Sequence, residues 1–390
     1  MMKFLNIQTN RRCLTAALLL LFPLLCSAEL KPDPMHQVLT LPDKPHPHWV
    51  WVADISAASY FPGKAYLMDA DKADMLGMIT MGYGLSPIAL PADGSAVYTL
   101  ERHYERTSRG KVTDVVGIYN GVTLQLEKEI IIPAKKISAV PYLSNVGLSD
   151  DDRFLLIYNF TPAQSISVVD MHKREFVKEI STPGCGLVLP SGNRRFLMLC
   201  SDSSILDVTF SDDLEQVTQK RGKKLFQSND DFLTEKPVRY GDEWLFVSKS
   251  SFIYPVNVSS DKISVGDRWS LTTEKERTDN WRIGGQQHLA IHHQNGQLFA
   301  LFHQGGPESH KDPGDQVWVY DVASKKKTKE IKLKNIASAI QVSQDDNPLL
   351  FSLFLVYPTL DIHDASSGEF VRSINEVGST PMLLQTPVLK

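Results

Sequence analysis

Five histidines, His288, His292, His293, His303 and His310, crowd one short stretch of the chain, and imidazoles at such density are raw material for a zinc or copper centre. On a strand, His288 and His292 share one face, whereas His293 points the other way and abuts the turn residues Asn295-Gly296. No carboxylate or cysteine stands beside them at ligand spacing, so packing or interface roles are expected and no metal site. His46 and His48 fall in a proline-rich segment and are expected to be exposed. The remaining chemistry is sparse. There is no glycine-rich dinucleotide fingerprint, phosphate-binding loop, zinc-protease helix or nucleophile elbow.

Cys185 and Cys200 flank a turn at Pro190-Ser191-Gly192-Asn193, with apolar runs at 187–189 and 196–199. Both sit about equally far from the turn, as a cross-strand disulfide in a hairpin requires. Such a bridge also removes a cysteine nucleophile; two buried free thiols are the alternative. Two further stretches are candidate contact surfaces. Residues 101–111, with Tyr104, Arg106, Arg109 and Lys111, form a long polar segment between two strands, either a solvated hairpin loop or a docking loop. The pair Tyr60-Phe61, before Pro62-Gly63, sits in a loop that could face a ligand, a partner or the core.

The elements that position these residues follow from an internal repeat. β-Rich runs closing on a turn residue recur at Asp69, Asn120, Asp170, near Thr209, and at Asn257, Asp321 and Asp364. Their spacing is about 50 residues, and each copy joins a second strand–turn–strand unit such as 88–100, so each repeat holds four strands. The expected fold is all-β, a seven-bladed β-propeller of four-stranded blades over 49–390. Tandem β-sandwiches would need no constant period. The widest step implies an insertion near 270–285, where 272–277 suit one short capped helix.

The chain has 390 residues, 41 Lys+Arg against 45 Asp+Glu, and 42% apolar residues. This composition fills a core and excludes a disordered chain, and it lacks the basic excess of a nucleic-acid binder. Lys3, Arg11 and Arg12 precede a twelve-residue apolar run at 14–25, too short to span a bilayer core of about 30 Å. With Cys26-Ser27-Ala28 after it, the run reads as a signal peptide over 1–28 and an exported, periplasmic chain without a membrane span. Residues 29–48 carry five prolines, which forbid a central strand and favour an extended arm.

Several stretches together resemble the heavy (large) subunit of the bacterial quinoprotein amine dehydrogenases, the methylamine and aromatic amine dehydrogenases. They are 104–116, the Cys185 and Cys200 pair, 281–287, His310-Lys311, 342–350 and 362–369. The resemblance implies a seven-bladed propeller that pairs with a small light subunit as an α2β2 heterotetramer in the periplasm. It places a tryptophan tryptophylquinone on the light subunit, no cofactor and no catalytic residue on this chain, and electron delivery to a blue copper protein such as amicyanin or azurin. That accounts for the missing catalytic motifs. A channel-lining aromatic is implied between Asp54 and Tyr66, with Tyr60 or Phe61 in its place, and Tyr104, Arg106, Arg109 and Lys111 become light-chain docking candidates. The rivals are a stand-alone propeller enzyme with a metal in its channel and a binding scaffold without a quinone partner.

Overall fold

Each repeat becomes one blade of a ring because the turn residues that define it cap the same corner each time. In the computed structural model, which describes residues 40–56, 62–225, 231–259 and 262–387, six of the seven marks end the third strand of a blade, and Thr209 lies one residue before the end of Ser204–Phe210. Asp69 accepts the backbone N–H groups of Asp71 and Lys72, and Asn120 those of Val122 and Thr123. Asp321 and Asp364 likewise accept from Ser324 and Ser367. These side-chain caps turn the chain into the outer strand.

The seven sheets are antiparallel. Blade 1 comprises Trp49–Asp54, Lys64–Asp69 and Asp74–Thr80, and its innermost strand is Pro381–Gln385 from the far end of the chain. In blade 2, Ala96–Arg106, Arg109–Asn120 and Leu126–Ile132 are joined on the inner side by Ala89, which exchanges two backbone hydrogen bonds with Tyr98. Blade 3 runs Val146–Leu148, Phe154–Asn159, Ser165–Asp170 and Glu175–Ser181; blade 4 runs Cys185–Pro190, Arg195–Cys200, Ser204–Phe210 and Val217–Lys224. Blade 5 holds Val238–Tyr240, Glu243–Val247, Phe252–Asn257 and an outer strand split into Ser264–Val265 and Trp269–Ser270. Blade 6 holds Leu289–His292, Gln297–Gln304, Gly314–Asp321 and Lys326–Ala337, with Trp281–Ile283 added beside Gln297–Gln304. Blade 7 holds Ala339–Val342, Leu349–Phe354, Thr359–Asp364 and Phe370–Ile374.

The core lies between blades. Second and third strands such as Phe154–Asn159 and Ser165–Asp170 are buried throughout, whereas the outer strand Lys326–Ala337 is largely exposed. Blades 3 and 4 meet through Phe154, Phe196 and Phe210, blades 5 and 6 through Trp269, Phe302 and Trp318. The expected insertion forms the helix Glu274–Thr278, where Thr273 and Glu276 reciprocally cap the first turn.

Antiparallel order sorts the connections. Turns between second and third strands and the crossings between blades gather on one rim, here the upper; the other turns form the lower rim. The expected signal segment 1–28 and residues 29–39 of the expected arm lie outside the described residues.

Candidate functional site

The polar stretch 101–111 is not a loop. It continues the two central strands of blade 2 as a paired ribbon, from Ala96 opposite Asn120 to Arg106 opposite Arg109 with one register shift between Tyr104 and Arg106, and it stands on the upper rim. Only Thr107-Ser108 form the turn. Polar residues suit both strands because a projecting ribbon has water on both faces, so polarity there says nothing against pairing.

The ribbon has a buried ionic root. Arg102 donates through Nε and Nη2 to both carboxylate oxygens of Asp114 at 2.8 Å, and it also reaches Ser138 Oγ and Lys136 O. Asp114 is fully buried and accepts the Lys136 backbone N–H as well. Bonding to Asp114 holds the Arg102 guanidinium above its ordinary pKa. Lys136, buried with its ammonium on Ser86 Oγ at 3.1 Å, is pushed down to about 8 by desolvation, against the pull of Asp114. Glu101 accepts from Thr99 Oγ1 at 2.6 Å and lies 3.0 Å from the His103 ring.

Beyond this root, Tyr104 is half-buried with its ring 5.9 Å from that of Tyr83, and Arg106, Arg109 and Lys111 are exposed. The structure therefore brings these four residues together on one rigid ribbon with three cations near its tip. Tyr60 and Phe61 lie outside the described residues. The base of their segment is nevertheless on the same rim: Asp54 accepts from the backbone of Ser56, Ser379 and Thr380. Backbone hydrogen bonds run from Gly63 to Gly82 and from Tyr83 to Arg102. A Cβ at Gly82, whose φ is +59°, would come within 2.7 Å of Glu101 Cβ, so only glycine lets the crossing lie this close to the ribbon.

Some surface features were not singled out from sequence. Phe160, Val356 and Tyr357, in upper-rim turns of blades 3 and 7, are half or more exposed. Exposed apolar side chains on a rim that also carries a rigid cationic ribbon are the makings of a contact face. The buried root was missed too, although a lone aspartate in the apolar run around Val115-Val116 is a signal that could have found it.

The clustered histidines do not converge. His288 is fully buried between Thr234 Oγ1 and Gly285 O, and burial pushes it well below the usual imidazole range. His292 contacts Asp345 O, and His303 contacts Ser309 Oγ. Near the axis, Gln287 bonds to Ile340 O and to both backbone polar groups of Leu384, joining the inner strands of blades 6, 7 and 1. Burial also lowers Lys236, whose ammonium donates to Gly285 O at 2.7 Å, to about 8. The expected exposure of His48 is wrong. It is half-buried on the lower rim between the carboxylates of Asp71 and Asp345, because ring closure brings blade 7 against the arm.

Cys185 and Cys200 are disulfide-bonded, facing one another in the inner hairpin of blade 4. Both are buried.

Comparison with known proteins places this geometry. Among solved structures, a periplasmic gluconolactonase of Pseudomonas aeruginosa aligns over 88% of this chain and 99% of its own, with TM-score 0.59 and 13% identity. A putative 6-phosphogluconolactonase of Bacteroides uniformis aligns over 86% and 98%, with TM-score 0.60 and 10% identity. Likeness at that identity is one of fold alone. By sequence, the methylamine dehydrogenase heavy chain of Methylophilus methylotrophus is 30% identical over 321 residues, 82% of this chain and 78% of that one. That of Paracoccus versutus is 30% identical over 325 residues, 82% and 75%. Residues 48–387, which take in every blade, the bridged cysteines and the ribbon, match the methylamine dehydrogenase heavy chain family throughout, and the chain belongs to that family.

Proposed function

We propose that this chain is the non-catalytic heavy subunit of a periplasmic amine dehydrogenase that converts primary amines and water to aldehyde and ammonia. It is a rigid platform on whose upper rim a light subunit docks, in an α2β2 assembly. The observation that carries the reading is the family match over the whole ring. The upper-rim ribbon supports it: Tyr104, Arg106, Arg109 and Lys111 form a preorganised docking element, so little ordering entropy is lost when a partner binds. Tyr60 and Phe61, which in sequence fall between Trp49–Asp54 and Lys64–Asp69, are proposed to line the substrate channel closed between the subunits.

The redox chemistry belongs to a tryptophan tryptophylquinone on the light subunit, which takes two electrons from the amine for delivery to a blue copper protein. The six tryptophans of this chain do not suit that group. Trp49, Trp51, Trp244, Trp269 and Trp318 are buried in the blades, and Trp281 packs against Trp318 with ring centroids 5.3 Å apart. Five of the six are closed to a substrate and Trp281 is half-buried, which supports a quinone built elsewhere.

The test is to purify the chain from its native host without a tag, identify what co-elutes, and assay amine-dependent reduction of a redox dye. A stoichiometric small subunit whose visible band is bleached by amine is the expected result. A lone, colourless chain without activity would sink the proposal in favour of a binding propeller, and metal-dependent turnover by this chain alone would do so in favour of a stand-alone enzyme.

A further inference from the structure

On the lower rim, remote from the ribbon, the chain enters the ring through His46-Pro47-His48. The Trp49 N–H donates to His46 O at 3.0 Å, closing a turn that folds the two imidazoles onto each other with ring centroids 5.4 Å apart. Asp71, in the turn between the third and fourth strands of blade 1, faces them both. Its carboxylate oxygens lie 2.8 and 3.0 Å from His48 Nδ1, and one lies 3.8 Å from His46 Nδ1. One ligand atom from each of the three residues can be chosen so that all lie within 4.8 Å of one another.

The hydrogen positions are constrained. His48 Nε2 lies 3.1 Å from Asp345 Oδ2 and 3.2 Å from Asn347 O. Both are acceptors, so Nε2 carries a hydrogen. In a neutral ring Nδ1 would then present a lone pair to the lone pairs of Asp71 at 2.8 Å, which is repulsive. The arrangement needs a positive centre between Nδ1 and Asp71: a proton at the present 2.8 Å, or a metal ion once the two atoms move apart. The second imidazole, placed alongside by the turn, favours the ion.

We propose that His46, His48 and Asp71 form a binding site for a divalent ion of the zinc class, with solvent as the fourth ligand. Two imidazoles and one carboxylate select zinc-like ions over magnesium and calcium. Bonds of about 2.0–2.1 Å hold tetrahedral ligand atoms roughly 3.4 Å apart, so on binding the 3.8 Å separation of His46 from Asp71 closes by a few tenths of an ångström and the 2.8 Å contact of His48 Nδ1 with Asp71 opens by about 0.6 Å. His46 Nδ1 now accepts the His48 N–H at 3.2 Å, and the ion takes the place of that bond. The His46 side chain is half exposed and free to adjust. The supporting contacts are already built. Asp345 orients His48 from behind, as carboxylates do for metal-bound imidazoles, and is itself held by Ser343 Oγ and the Asn347 N–H. Asp71 is fixed through its own N–H on Asp69. The ion joins the entering arm to blade 1 and, through Asp345, to blade 7, so it staples the seam where the ring closes.

The test uses the purified protein, tag-free and stripped with chelator, titrated calorimetrically with Zn2+ at neutral pH, with Mg2+ as comparator and a thermal melt in each state. One Zn2+ per chain and a zinc-dependent rise in Tm are expected. His46→Ala should weaken Zn2+ binding by at least about 10-fold while leaving the metal-free Tm unchanged, because His48 keeps both carboxylates; Asp71→Asn should also abolish the zinc-dependent rise. No uptake below about 100 μM Zn2+, or uptake by His46→Ala equal to the parent, would overturn the proposal and leave a protonated His48 clamp.

Discussion

Asp114→Asn isolates the ribbon's root. The substitution keeps the shape of the side chain but puts an amide N–H group where a carboxylate oxygen now receives Arg102, and it removes the charge that faces Arg102 and Lys136. Asp114 is fully buried, so water cannot replace what is lost. Breaking a buried pair from one side costs about 3–5 kcal/mol, because the partner's charge stays desolvated. A ring of roughly 350 ordered residues, at about 2.1 cal/mol/K each, unfolds with an entropy near 0.7 kcal/mol/K, so Tm should fall by about 4–7 °C. Scanning calorimetry on the isolated chain measures this. If the ribbon frays before the ring melts, part of the loss will appear instead as weaker light-chain affinity by titration calorimetry. A Tm within about 1 °C of the parent together with unchanged light-chain affinity would refute both the energetic argument and the docking role of the ribbon.

Lys136 gives a pH test. Its ammonium is lost near pH 8 in the fold against 10.5 ordinarily, so between those values the unfolded chain binds more protons and stability rises with pH. From pH 7.5 to 9.5 the gain from this group is roughly 2 kcal/mol. Denaturant titrations should show a smaller rise in Lys136→Met, and an identical rise would refute the assignment. Replacing Cys185 and Cys200 together with alanine opens a loop of 15 residues and should cost about 3 kcal/mol; a melt unchanged from that of the oxidised parent would show that the bridge adds nothing. Reversing Arg106, Arg109 and Lys111 to glutamate should leave the Tm of the exposed ribbon within about 1 °C of the parent and weaken light-chain binding at least about 10-fold, most at low salt. Equal affinity at low salt would remove the ribbon from the interface.

The seven-blade ring was legible because its mark is local: in six of the seven blades an Asp or Asn at the end of the third strand caps a turn two or three residues away. The capped helix and the bridged hairpin are local too. What could not be read depends on contacts across the ring. Asp114 meets Lys136 only after an outer strand and a crossing have been laid down. His48 meets Asp345 only when the last blade reaches the first, so a proline-rich surrounding alone suggested exposure. The 101–111 segment was misjudged because polarity marks contact with water, and a ribbon standing clear of its blade has that without being irregular. The four residues proposed for docking lie on one ribbon, although no pattern in the sequence says that their strands pair as far as Arg106.

The strand that completes blade 1 has a consequence in time. Pro381–Gln385 pairs with Trp49–Asp54, so the first blade to leave the ribosome is the last to be finished. Until then, the edge of Trp49–Asp54 stays open as a template for any other strand. The first strands of the chain therefore stay exposed until its end arrives, and losing a handful of residues there would leave a ring that never latches.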